Sequence, residues 1–189
     1  MKKATFSPLW MAYAGVLVAL QIVLGNLVQI AFLTKQMNLG FLPIAAAGYL
    51  LGPLGGAVVA VLGDVLGTII FGTGAYFPGF TVTALLVGLI YGWIMYPDNQ
   101  KWLNKAIKNR TLEIAVRAFC AASLAAVAYI FLNSYWLTFL VPKGYWVLLL
   151  GRLPFNLAEI PVFTVLITLT CAALDRLPPT LLPEAVRGI

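Results

Sequence analysis

Arg152, Asn156 and Glu159 interrupt a segment that otherwise reads as apolar, at spacing i, i+4 and i+7. That spacing puts the three on one face of a helix. A guanidinium, an amide and a carboxylate so placed can hold one another as an internal ion pair. Equally, they can line a site for a ligand that carries carboxylates and polar edges. Pro154 and Pro161 flank the stretch and loosen the backbone ladder, freeing carbonyls toward a cavity. Asp64 is the other deeply placed acid, in a span where Gly56, Ala60, Gly63 and Gly67 form a stripe of small residues. Such a stripe lets another helix approach closely, and Asp64 either meets a ligand or is satisfied internally.

Aromatic residues supply the second constellation. The stretch GTGAYFPGFTVT, Gly72–Thr83, sets Tyr76, Phe77 and Phe80 among Gly72, Gly74 and Gly79, inside a run without charge from Val65 to Pro97. Glycine and proline at this density break a helix, so the stretch is expected to loop between two spans. The NSYW stretch places Asn133 and Trp136 at i, i+3 and approaches the same side, as do Lys35 and Lys143. Rings for stacking, amides for edges and cations for carboxylates suit a planar, polar-edged, anionic ligand. A belt of aromatics at the membrane interface is the alternative, and it accounts for Trp10, Trp93 and Trp102.

The elements that position these residues follow from composition. The chain has 189 residues, of which 62% are hydrophobic and 10% charged, against about 25% charged in a soluble domain. With a mean hydropathy of +0.97, it reads as an all-α integral membrane protein and a single membrane domain over residues 1–189. Six transmembrane helices in a compact bundle are expected over about 8–33, 41–51, 53–71, 81–96, 111–140 and 145–174. The first is too long for a signal peptide's apolar region of ~7–15 residues. The second and third come from one apolar run broken by GPLGG, with Pro53 suited to the first turn of a new helix.

Lys2, Lys3, Lys101, Lys105, Lys108, Arg110, Arg176 and Arg187 fall on one side of this arrangement. The excess of basic residues there puts both termini in the cytoplasm and turns the Gly72–Thr83 loop outward. The chain carries no histidine, which removes imidazole bases, Ser–His dyads and histidine metal sites. Cys120 and Cys171 sit in apolar spans and read as small buried hydrophobes. Asp64 and Glu159 are the only pair available to an aspartyl protease, and Val61-Leu62-Gly63 precedes Asp64 where that chemistry would ask for Gly-x-Gly. No enzyme activity, metal or cofactor is expected. The basic connector lacks a recognition fold, so no nucleic acid is expected either. Glu113 and Arg117, at i, i+4, read as a structural pair.

The first span carries Ala12, Gly15 and Ala19, a flat face suited to packing within the bundle or to a partner helix. The stretches GFLPIAAAGYLLGPLGGAVVAVLGD, GAYFPGFTVTALLVGLIYG, NSYWLT and GRLPFNL resemble the substrate-binding S components of energy-coupling-factor (ECF) vitamin transporters, most closely the folate-specific group. The likeness runs from about Ala12 to Leu174. It implies a bacterial plasma-membrane subunit that binds a vitamin near the outer surface, under a lid of loops. Such a subunit works with a shared transmembrane coupling protein and two cytoplasmic ATPases, with Ala12, Gly15 and Ala19 matching the face toward the coupling protein. The absence of a G-x-x-x-x-G-K-[ST] loop agrees with hydrolysis by the partners. Where the folate group often has an arginine near the outer end of the first span, this chain has Gly25 and Asn26. The resulting expectation is high-affinity capture of folate or a reduced folate. Tyr76, Phe77 and Phe80 would cover the ring system, Asn133, Asn156 and Asp64 would read its edge, and Arg152 with Lys143 or Lys35 would meet the carboxylates. Another vitamin, pantothenate or riboflavin, on the same scaffold is the alternative. A structural membrane scaffold is the alternative of another class.

Overall fold

A computed structural model of the chain describes residues 7–27, 29–31, 36–72, 76–100, 107 and 109–178. They form α1 (Pro8–Asn26), a short antiparallel ribbon of β1 (Gln29–Ala31) and β2 (Gln36–Asn38), α2 (Phe41–Phe71), α3 (Pro78–Met95), a 3-10 turn at Pro97–Gln100, α4 (Arg110–Leu137) and α5 (Tyr145–Leu174). All five α-helices are long and apolar enough to cross a bilayer. The fold is therefore helical, with the ribbon as an addition that hydropathy did not reveal.

Helix starts follow local chemistry. Ser7 caps α1 by accepting from the Trp10 amide, and Asn109 caps α4 by accepting from the amides of Thr111 and Leu112. Pro8 and Pro78 occupy first-turn positions, where a missing N–H costs nothing. Pro78 starts α3 three residues ahead of the expected 81. The first helix stops at Asn26, although its apolar run continues to Leu33. Nineteen residues span about 28 Å, which already matches a hydrocarbon core of about 30 Å. At that end the Asn26 side chain donates to the Ile22 carbonyl, and the returning chain donates from the Leu39 amide to the Leu24 carbonyl.

Gly52 is the pivot of α2. Its φ of 78° and ψ of −167° break the helix, a conformation open to glycine and strained for other residues. In an unbroken helix, residues eight apart lie about 12 Å apart. Here a Cβ built on Gly56 would sit 3.4 Å from the Gly48 Cα. Limbs 41–51 and 53–71 therefore fold back on each other. Limb 41–51 is buried on nearly every side, as an all-apolar helix must be. At the other end, Gly72 closes α2 in the left-handed conformation (φ 58°), its amide donating to the Thr68 carbonyl.

Backbone contact joins this hairpin to α3. A Cβ on Gly48 would come 2.8 Å from the Gly92 nitrogen, and one on Gly92 would collide with Pro53. Gly56 and Gly88 each face the other's carbonyl oxygen. Side chains at these positions would push the elements apart. Beside them, α1 runs parallel to limb 53–71. The Gln21 side chain lies over Gly63, and the Asn26 amide would be 2.8 Å from a Cβ on Gly67.

Glu113 and Arg117 form the expected pair (2.5 Å), with side chains 3% and 1% exposed. They belong to a larger network. Arg110 reaches Glu113 (3.0 Å), Asp175 (3.0 Å) and the Tyr49 hydroxyl (2.7 Å), and that hydroxyl donates to Asp175. Arg117 also donates to the Met95 carbonyl (3.4 Å). The network thus ties α2, α3, α4 and the end of α5 at the side opposite the Gly72–Phe80 loop. Removing one member of such a set leaves a buried charge, a loss of about 3–5 kcal/mol.

Gly88→Leu tests the backbone contact. Leucine there must displace Gly56 and Ala57, whereas Gly151 has open space around its Cβ position. We expect Gly88→Leu to destabilise the chain by about 1–3 kcal/mol or more and Gly151→Leu to be near neutral. Thermal unfolding in detergent, with both variants side by side, measures this.

Candidate ligand-binding site

Phe77 is the centre of an aromatic cluster at the loop end. Its ring lies 5.8 Å from Phe80, 5.9 Å from Trp136 and 6.2 Å from Phe139, centroid to centroid. Tyr135 adds edge contacts to Trp136 and Phe139. Gly79 makes the cluster possible, because a Cβ there would come 2.5 Å from both Phe77 and the Trp136 ring. The Trp136 indole donates to the Thr83 hydroxyl (3.1 Å), which donates in turn to the Gly79 carbonyl (3.2 Å). The loop and the NSYW stretch thus meet in space. A bare interface belt would leave its rings separate, each facing lipid.

A polar patch lies beneath these rings. Asp64 accepts a hydrogen bond from Thr81 (2.7 Å), and the Thr81 hydroxyl is 3.0 Å from that of Tyr76. Tyr129, Asn133 and Trp136 follow at i, i+4 and i+7 and share a face. The Asn133 Oδ1 atom and, on α1, the Gln21 Oε1 atom are buried with no hydrogen-bond partner among the described residues. On α5, Asn156 is buried and donates to the Arg152 carbonyl (2.8 Å).

Arg152 is half-buried two turns into α5, and among the described residues no carboxylate pairs with its guanidinium. The internal pair with Glu159 that its spacing allowed is not formed. Lys143 is exposed in the turn between α4 and α5, and its ammonium makes no bond to the cluster. Lys35 lies outside the described residues. Tyr76 is exposed, while Phe77, Phe80 and Asp64 are half-buried. Ala12, Gly15 and Ala19 are all exposed on α1, and nothing lies within 4 Å of a Cβ at Gly15. Among the described residues nothing packs on Gly15 at the centre of this face.

Sequence reasoning passed over Gln21, Thr81, Thr83 and Tyr129. Gln21 carried a signal, as an amide in an apolar span, and Tyr129 stood one turn before Asn133 on its face. Among the described residues no group of three potential metal ligands gathers.

A model of the family described as ECF-type riboflavin transporter, S component, matches residues 5–176. The folate transporter FolT of Clostridium novyi is 31% identical over 167 residues, covering 88% of this chain and 90% of that protein. The folate transporter FolT of Leuconostoc mesenteroides is 29% identical over 124 residues, covering 65% and 60%. In fold, the chain is similar to the crystal structure of FolT bound with folic acid, at a TM-score of 0.70 and 24% identity, over 85% of this chain and 91% of that one. The family model spans most of the chain, and the chain therefore belongs to the S components of ECF-type transporters, membrane-embedded transport subunits and not enzymes.

Proposed function

We propose that this chain captures folate from outside the cell and delivers it through a transmembrane coupling protein driven by two cytoplasmic ATPases. Limbs 41–51 and 53–71 count as separate membrane helices, which gives six in one domain over residues 1–189. Both termini and the Lys101–Arg110 connector lie in the cytoplasm. Arg110 and Arg176 stand at the network end in support. Lys2, Lys3, Lys101, Lys105, Lys108 and Arg187 lie outside the described residues.

The observation that carries the reading is the half-buried Arg152, which no carboxylate pairs among the described residues, at the same end as the Phe77 cluster. A desolvated guanidinium favours an incoming carboxylate, which it can grip in two parallel bonds. Folate brings a planar head for Tyr76, Phe77, Phe80 and Trp136, polar edges for Asp64, Asn133 and Asn156, and two carboxylates for Arg152, with Lys143 near the mouth. The relatives' names agree. Riboflavin is the second reading, favoured by the description of the matching family. Its ring fits the aromatics, but its sugar-alcohol tail offers Arg152 no carboxylate.

Calorimetric titration of the purified chain separates the two. Folic acid is expected to bind with a Kd of about 1 μM or tighter, and riboflavin and pantothenate about 100-fold more weakly. A tighter riboflavin titration would transfer the function to that vitamin. Arg152→Lys should weaken folic acid about 10–100-fold, as a charge-assisted bond of about 1.5–3 kcal/mol is lost. A pterin without the glutamate tail should lose much less. Equal losses for both would make Arg152 a support of the bundle.

The exposed Ala12–Gly15–Ala19 face fits the coupling protein, because small residues let two helix backbones meet in lipid. Gly15→Trp is expected to leave folic acid binding by the isolated chain intact while abolishing uptake and co-purification of the coupling protein. Normal uptake by that variant would place the partner elsewhere.

A further inference from the structure

We infer that Thr83 is a positioning residue for ligand capture: its hydroxyl fixes the plane in which Trp136 offers its ring to the flat head of the ligand. This step rests on the folate reading above. Thr83 is fully buried on α3 (0% exposed). Its one hydroxyl proton goes to the Gly79 carbonyl (3.2 Å), so its oxygen is left to accept from the Trp136 indole N–H (3.1 Å). An indole nitrogen is a donor only, and this single directional bond sets the rotation of the ring.

Gly79, one turn before Thr83 on the same face of α3, supplies the seat. A Cβ on Gly79 would lie 2.5 Å from the Trp136 Cδ2 carbon and 2.8 Å from its Cε3. Cδ2 is bonded to three ring atoms, so a neighbour closer to it than to Cε3 stands over a face of the indole. Bare backbone thus takes one face, and the Thr83 hydroxyl takes the N–H edge. Among the described residues no ring lies flat on Trp136, since Phe77 is tilted at 50° and Tyr135 meets it at 64°. The second face is therefore the one on which a planar head can stack. A ring already held in its stacking plane need not be ordered when the ligand arrives, which favours binding. Without the hydroxyl, the indole N–H has no acceptor in its present place, and the ring gains by turning out of that plane.

Titration of the purified full chain with folic acid tests this. Thr83→Val keeps the shape of the side chain and removes the acceptor, and it should weaken folic acid about tenfold. Pterin should lose as much, because the fault lies at the head. Thr83→Ser keeps the hydroxyl and should stay within about threefold of the unmodified chain. In a Trp136→Phe background, which has a ring but no N–H, Thr83→Val should cost little more. With isotope-labelled tryptophan, the indole N–H resonance that Trp136→Phe removes should shift in Thr83→Val and hold in Thr83→Ser. Thr83→Ala serves in place of the valine variant if that one does not fold. The inference is overturned, with the folate reading intact, if Thr83→Val binds folic acid as tightly as the unmodified chain. It is equally overturned if Thr83→Ser loses as much as Thr83→Val, or if the full loss recurs in the Trp136→Phe background. No binding of folic acid by the unmodified chain removes both.

Discussion

Gly48, Gly56, Gly88 and Gly92 bring three stretches of backbone into direct contact, and most of the molecule is arranged around that contact. In lipid, apolar side chains gain little by leaving the lipid tails for one another, so helices associate through close packing and polar contacts. A seam without side chains provides the closest packing available. It welds limbs 41–51 and 53–71 to α3, and so fixes where Asp64 stands relative to Thr81. The site inherits its geometry from this seam. Gly79 repeats the device at smaller scale, where the indole of Trp136 lies on bare backbone and Phe77 closes over it.

The opposite end is held by a different force. Arg110, Glu113, Arg117, Asp175 and Tyr49 form a charged, hydrogen-bonded set with little exposure. Charges drawn largely out of water interact strongly, and the directionality of their bonds specifies one arrangement of helix ends where apolar packing would accept several. The two ends are therefore asymmetric: ion pairs and hydrogen bonds at one, rings and unpaired acceptors at the other.

Much of this was legible in the sequence, for identifiable reasons. Hydropathy located the helices, and the GPLGG break with Pro53 located the reversal, because glycine and proline act on the backbone directly. The Glu113–Arg117 pair was legible from its i, i+4 spacing, and the convergence of the Phe77 loop with Trp136 from the side on which each falls. The partners Tyr49 and Asp175 were not, since a contact between residues 126 positions apart leaves no periodic trace. The end of α1 at Asn26 was hidden for another reason. Apolar residues continue past it, and membrane thickness together with the returning chain decides the boundary. The state of Arg152 needed coordinates too, because i, i+7 spacing permits a pair with Glu159 without requiring one.

The half-length of limb 41–51 has a consequence for transport. Eleven residues reach about 16 Å, roughly half the hydrocarbon thickness. Phe41 at its start stacks on Phe163, well along α5, at 3.7 Å, and its far end joins the charged network through Tyr49. A packed limb, tied down at its base, thus fills one half of the bundle's depth. Packing of this kind leaves that half of the described molecule filled, and crossing the membrane is work that an S component shares with the rest of its transporter.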